Sequence, residues 1–439
     1  MSKKNIELAQ WVIDNALKSG ADQAAVSISN QREVEIEYRD NQLDKLKEST
    51  QNGLNLSIYT NHRYSNHSTN DLRKDTLKRF IEDAVAATKY LSPDKYRELP
   101  DPSLYPKEIK GDLEIFDNNY DSLKPEERKR IVEKIEAAAM SVSDKIISTT
   151  SGYVDVIYDV SRVNSAGFNG ESKGTNFYAG AEVTVKDGDK GRPSDWYWPG
   201  TRFLNDLPSP ESIGKEAADR AIRKIGQKKI DSGKYVMIVE NRTGSRLLWM
   251  LLGAMQARAL QQKNSFLEGM LNKRIASEKL SLIDDPFIKK GLGSKYFDSE
   301  GIALKKRIMI EDGMLQAYYV DSYYGKKLGM KPNSASSSNT IFKYGSRGLN
   351  EIIKDLDKGI YITSFLGGNS NGTTGDFSFG IVGQLIENGK IVRPVNEMNI
   401  SGNALELWKN LIEMGNDPYP YSSTAMPTLV FEGVSFSGL

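Results

Sequence analysis

The chain has 439 residues and no cysteine. Disulfides, thiolate nucleophiles, iron–sulfur clusters and every zinc site that needs sulfur are thereby excluded. Histidine is nearly as scarce, with two in the whole chain. His62 and His67 stand at an odd spacing that sends them to opposite faces of a strand, so they cannot easily share one metal, and both read as exposed loop residues. Long apolar runs are missing too. The longest, Leu247 to Met255, covers nine residues, about half of the roughly 18 that suggest a membrane span. Charge of one sign is absent: 59 lysines and arginines against 58 aspartates and glutamates leave +1, which disfavours direct nucleic-acid binding. No G-x-S-x-G elbow and no G-x-x-x-x-G-K-[ST] loop occurs, so ordinary serine-hydrolase and P-loop chemistries are not expected.

What remains is the composition of a folded globular protein, long enough for two or three domains. No apolar leader follows Met1-Ser2-Lys3-Lys4-Asn5, so the cytoplasm is the expected compartment.

Periodicity gives an α+β pattern. Leu8, Ala9, Val12, Ile13, Ala16 and Leu17 predict a first helix stopped at Gly20. Alternating residues from Val26 to Ile58 predict an antiparallel meander with a hairpin at Asn52-Gly53. Helices are predicted over 71–90, 122–141 and 209–224, short hairpins over 146–185, and an exposed or partner-covered loop over 187–199. A polar link near residue 230 predicts an N-terminal α/β domain, 1–230, with an antiparallel or mixed sheet and flanking helices. A C-terminal domain, 231–439, then reads as mostly β and barrel-like around a long helix, about 243–262, buried on every side. A late helix is expected over 403–414, and the serines at 334–338 predict a mobile loop. The acidic pairs Asp284 with Asp285 and Asp298 with Glu300 could hold a hard cation or do acid–base work, but exposed carboxylate pairs are more often solvated turn residues. The glycine-rich stretches Gly367-Gly368-Asn369-Ser370-Asn371-Gly372 and Thr374-Gly375-Asp376 read as backbone turns.

Several segments of the second half resemble one family. They are Ser265-Phe266-Leu267, Ile275-Ala276-Ser277-Glu278, Leu282-Ile283-Asp284-Asp285, Phe297-Asp298-Ser299-Glu300-Gly301, Ile310-Glu311-Asp312-Gly313 and Thr374-Gly375-Asp376-Phe377-Ser378-Phe379-Gly380. Together with Gly20-Ala21-Asp22 and Tyr38-Arg39-Asp40-Asn41 they are similar to the TldD/PmbA family over nearly the whole chain.

That resemblance implies a cytoplasmic zinc metallopeptidase of two subunits. A TldD-like chain carries a histidine–glutamate–histidine motif on a long helix, and the TldE/PmbA branch lacks it. Here the motif positions fall on Leu247, Leu248, Trp249, Met250, Leu251 and Leu252. None of these side chains offers a ligand beyond the weak thioether of Met250. The resemblance therefore implies a non-catalytic subunit that holds no metal or cofactor, with zinc only in a TldD-like partner. It also implies an unfolded peptide as substrate, and it leaves a homodimer open when that partner is missing. Two rivals are a self-sufficient hydrolase using Asp284, Asp285, Asp298 or Glu300 around an oxygen-ligated metal, and a regulator of DNA gyrase, after the old family label "modulator of DNA gyrase".

Overall fold

The computed structural model describes residues 2–109, 111–189 and 191–439; Met1, Lys110 and Lys190 lie outside the described residues. The chain opens with helix α1 (Ser2–Lys18), whose Ala9, Val12, Ile13 and Ala16 are fully buried and which ends before Gly20 at a positive φ of 101°. Strands β1 (Gln23–Arg39), β2 (Gln42–Thr60) and β3 (Arg63–Thr69) follow, then α2 (Lys74–Thr88) and α3 (Pro125–Met140). Next come β4 (Ile146–Asn164), β5 (Asn169–Val185), β6 (Ser194–Tyr197), β7 (Gly200–Thr201) and α4 (Pro210–Ile222).

These strands form one sheet in the order β3-β2-β1-β4-β5-β6, with β7 on β5. The turn between β1 and β2 is Asp40-Asn41, both at positive φ, and not Asn52-Gly53, which lies inside β2 with Asn52 opposite Asn30 and Gly53 opposite Ser29. Asp and Asn tolerate the left-handed region nearly as well as Asn-Gly does. The turn that keeps Val26 and Ile28 in register with Leu54 and Leu56 on the dry face therefore wins. The short hairpins expected over 146–185 are in fact one long pair of strands, because Asn169-Gly170 continues β5 after the Ser165–Phe168 turn. All four helices lie on one face. Val26, Ile28, Leu54 and Leu56 pack under α1 and α2, while Val34, Ile36, Tyr153, Phe177 and Ala179 pack under α3 and α4. The opposite face, carrying Ser27, Tyr158, Val160, Arg162 and Ser172, has none of these four helices on it.

The remaining elements are β8 (Gly233–Val239), α5 (Ser245–Ala254), α6 (Ala257–Gln261), β9 (Leu282–Asp285), β10 (Arg307–Glu311), β11 (Met314–Leu315), α7 (Ser322–Leu328) and β12 (Asn339–Phe342). After them come α8 (Leu349–Lys354), β13 (Lys358–Ser370), β14 (Asp376–Glu387), β15 (Lys390–Asn403), α9 (Ala404–Lys409), β16 (Leu411–Met414) and β17 (Leu429–Ser437). Strands β15-β14-β13-β8-β17 close into a barrel through the β15–β17 pairing, and β16 hangs from β17. Alternation divides its residues cleanly. Met237, Val239, Ile360, Ile362, Leu429 and Phe431 join one core with α5, while Ile238, Tyr361 and Val430 pack with Ile352 and Ile353 of α8. The α+β class and the barrel-like second half thus match the sequence expectation. A smaller sheet, β11-β10-β9-β12, sits beside the barrel.

Four expectations fail locally. The single helix over 243–262 is broken at Gln256, whose extended backbone (φ −77°, ψ 130°) lets Ala257 N–H bond to Tyr319 O. The helix expected over 403–414 stops at Lys409 so that Leu411–Met414 can pair with β17. Residues 194–197 form strand β6 inside the expected loop, drawn in by Asp195. The 334–338 segment is tied down rather than loose, with Ser334 and Ser338 buried.

Candidate functional site

Helix α5 carries the positions to which the family resemblance assigns a metal motif. Leu247, Leu248 and Leu251 are fully buried in the barrel core, whereas Trp249 is 60% exposed and Met250 and Leu252 are half-buried. The helix is therefore one-sided, and its outer face is a visible surface. Beside it, Arg246 lies over the Phe379 ring at 4.7 Å and donates to Gly367 O at 3.2 Å. Gly367 and Gly368, at positive φ, form a bulge in β13, and the expected turn falls at 372–374, closed by Gly375 N to Asn371 O at 2.8 Å. A cavity of about 240 Å³ opens between Trp249, Met250, Gly253, Phe266 and the Ser370–Gly372 backbone.

The carboxylates singled out in the sequence do not converge on one centre, and none is the free turn residue that exposed acidic pairs suggest. Asp284 is buried and accepts from Arg307 Nε at 3.0 Å and Nη2, and from Ser338 N and Oγ at 2.6 and 2.5 Å. Arg307 also donates to the carbonyls of Asn333, Ser334 and Ser336, which fixes the serine segment. Asp285 accepts from Phe287 N at 3.0 Å and pairs with Lys306 at 3.1 Å. Asp298 accepts from Glu300 N and Ile302 N, and burial raises its pKa. Glu300 accepts from Ser322 N at 2.9 Å and from Ser322 Oγ, while burial pushes its carboxyl up to about 7.

Asp298 and Glu300 nevertheless each line a sizeable cavity. The segment around 286–303 crosses the face of the first sheet opposite α1–α4, held by Lys290 N to Leu113 O and Ala303 N to Leu104 O, both 2.8 Å. It leaves a cavity of about 840 Å³ on one side, lined by Asp298 and Tyr158, and one of about 390 Å³ on the other, lined by Glu300, Tyr59 and Tyr323. Arg162 and Ser299 line both. The histidines lie elsewhere. His62 is exposed in the β2–β3 turn, whereas His67 is partly covered, with Nε2 2.8 Å from Ser65 Oγ and its ring edge-on to Phe80. The reading of His67 as an exposed loop residue thus fails, because β3 lies against α2.

A buried charge network, missed in the sequence, sits at the root of α5. Arg220 of α4 makes a bidentate pair with Glu240 at the end of β8, and Asp195 gathers Lys224 at 3.1 Å and Arg242 at 3.5 Å. Its members lie far apart in sequence, and no local pattern signals them.

Comparison with known proteins agrees over the whole length. Models of the PmbA/TldA metallopeptidase domain 1, central domain and C-terminal domain match residues 24–88, 118–225 and 232–438. The chain belongs to the PmbA/TldD metallopeptidase family. It is 28% identical to the metalloprotease PmbA of Escherichia coli O157:H7 over 91% of this chain and 89% of that one. A crystal structure from Bacteroides thetaiotaomicron, described as a candidate modulator of DNA gyrase, superposes with a TM-score of 0.97 at 42% identity over 99% of both chains. TldE from Thermococcus kodakarensis shares the fold, with a TM-score of 0.86 at 21% identity over 98% of this chain and 100% of that one.

The zinc that TldD/PmbA resemblance implies for the catalytic branch does not fit the residues present here. Zinc takes sulfur, imidazole nitrogen or carboxylate oxygen, whereas α5 offers leucines turned into the core and an indole turned out. Among the described residues, no three His, Cys, Asp or Glu side chains come together as ligands.

Proposed function

We propose that this chain is the non-catalytic, TldE/PmbA-like subunit of a cytoplasmic zinc metallopeptidase complex that degrades or matures unfolded peptides. It supplies a wall of the substrate cavity to a zinc-bearing TldD-like partner. The observation that carries this reading is the face of α5, where leucine, tryptophan and methionine stand at the positions a catalytic relative gives to metal ligands. The occupied state of Asp284, Asp285, Asp298 and Glu300 speaks against the rival hydrolase, since each already accepts from protein donors. The near-zero net charge supports peptide rather than DNA as the partner. In the same reading, residues 1–230 and 231–439 act as two domains clasped by the Arg220–Glu240 pair. Elemental analysis tests it: zinc should be absent from the purified chain and present at about one per heterodimer with a motif-bearing homologue. About one zinc bound by this chain alone would overturn the reading.

A further inference from the structure

We infer that the waist between the two cavities on the face of the first sheet opposite α1–α4 binds a peptide carboxylate, with Arg162 as its cation. The inference rests on the reading that this chain handles peptides.

Arg162 sits in β4 opposite Ser27 of β1, on the face away from α1–α4. Its side chain lines both cavities, yet among the described residues it makes no hydrogen bond and no ion pair. Neighbouring cations are occupied. Arg202 donates to the carbonyls of Thr175, Gly291 and Leu292 and to Asn176 Oδ1. Arg97 stacks 3.5 Å from the centre of the Tyr323 ring. The nearest opposing charge is Asp298, whose Oδ1 is already taken by two backbone N–H groups. Burial pushes the Arg162 guanidinium below its ordinary pKa, as expected for a cation partly stripped of water and given no partner. Beside it stands an aromatic wall, Phe168 and Phe297, with ring centroids 5.0 Å apart.

A half-buried guanidinium beside such a wall, with no protein partner, keeps its donors free for a ligand. Its fork of donors matches the two oxygens of a carboxylate. The rest of the larger cavity is balanced in charge, with Asp112, Glu114, Glu171 and Asp298 against Lys173, Arg202, Lys290 and Lys295. It offers a polyanion no concentration of positive charge, so a ligand with a single carboxylate for Arg162 suits it better. The carboxylate could be the peptide's C-terminus or an Asp or Glu side chain.

Isothermal titration calorimetry on the purified full-length chain tests this with three versions of one unstructured ten-residue peptide. One has a free C-terminus and no acidic residue, the second is its C-terminal amide, and the third is the amide with one internal glutamate. On the wild-type chain at least one carboxylate-bearing peptide should bind about tenfold more tightly than the plain amide, the scale of a charge-assisted hydrogen-bonded pair. Whichever does so identifies the source. Arg162→Gln should bring that peptide to the level of the amide, and Arg162→Lys, which keeps charge but loses the fork, should fall between. Equal affinity for all three peptides, no binding of any, or a preference that survives in both variants would overturn the site. A chain that shows the preference but adds nothing to a zinc-bearing partner's cleavage rate keeps this site and loses the subunit reading. A chain that restores cleavage without the preference loses the site alone.

Discussion

Arg220 and Glu240 face each other squarely, Nη1 to Oε1 at 2.6 Å and Nη2 to Oε2 at 2.8 Å, with both side chains nearly excluded from water. The pair joins helix α4, which covers the first sheet, to the strand that leads into α5. Glu240→Ala would leave the guanidinium buried with only Asp195 and Glu216 near it, at 3.7 and 3.5 Å. We expect a loss of about 3–5 kcal/mol in urea unfolding. A double change, Arg220→Met with Glu240→Leu, should recover most of it, and a single variant as stable as wild type would contradict this role.

Glu300 makes stability depend on pH. Its folded pKa, about 7, lies above the ordinary 4.5, so the folded state favours the protonated carboxyl. The associated stability is fully present below pH 4.5 and is lost as the pH rises through 7. Relative to Glu300→Gln, which cannot ionise, the wild type should lose on the order of 2 kcal/mol between pH 4.5 and 8. Parallel curves for the two proteins across that range would show that Glu300 does not titrate there.

The two faces of α5 should respond differently to truncation. Leu248→Ala removes a fully buried side chain and should cost about 2–5 kcal/mol. Trp249→Ala, on the open face, should change stability by no more than about 0.5 kcal/mol. If the open face meets the partner, Trp249→Ala should weaken co-purification with a TldD-like homologue while the melting temperature stays put. Equal loss of stability in both variants would mean that the helix is enclosed all round.

Much of the fold was legible because period-2 and period-3.6 patterns report burial directly, as in Val26, Ile28, Leu54 and Leu56 under α1. What was not legible depended on distant partners. Asn52-Gly53 looks like a turn until the β1–β2 register is known. Gln256 looks helical until Tyr319 O takes the next N–H. The metal-motif positions on α5 were assigned through resemblance alone, since an apolar helix says only that it packs. Arg162 could not be found in sequence, because a lone arginine in an alternating strand reads as solvated until its lack of a partner is seen in three dimensions.

The histidines give a plain check on where the chemistry is not. His62→Ala should leave both stability and the activity of the complex unchanged. His67→Ala gives up only the Ser65 contact and the Phe80 edge, about 1 kcal/mol of stability, with activity again unchanged. A hundredfold fall in kcat with the fold intact would place a catalytic group on β3.

The most direct measurement is the rate at which an unfolded peptide is cleaved by this chain alone, by a motif-bearing TldD-like homologue alone, and by the two mixed in equal amounts with zinc. The account predicts no cleavage by this chain, little by the homologue, and a large gain on mixing that follows formation of the heterodimer in size-exclusion chromatography. Cleavage by this chain alone, or a homologue that works at full rate without it, would contradict the account.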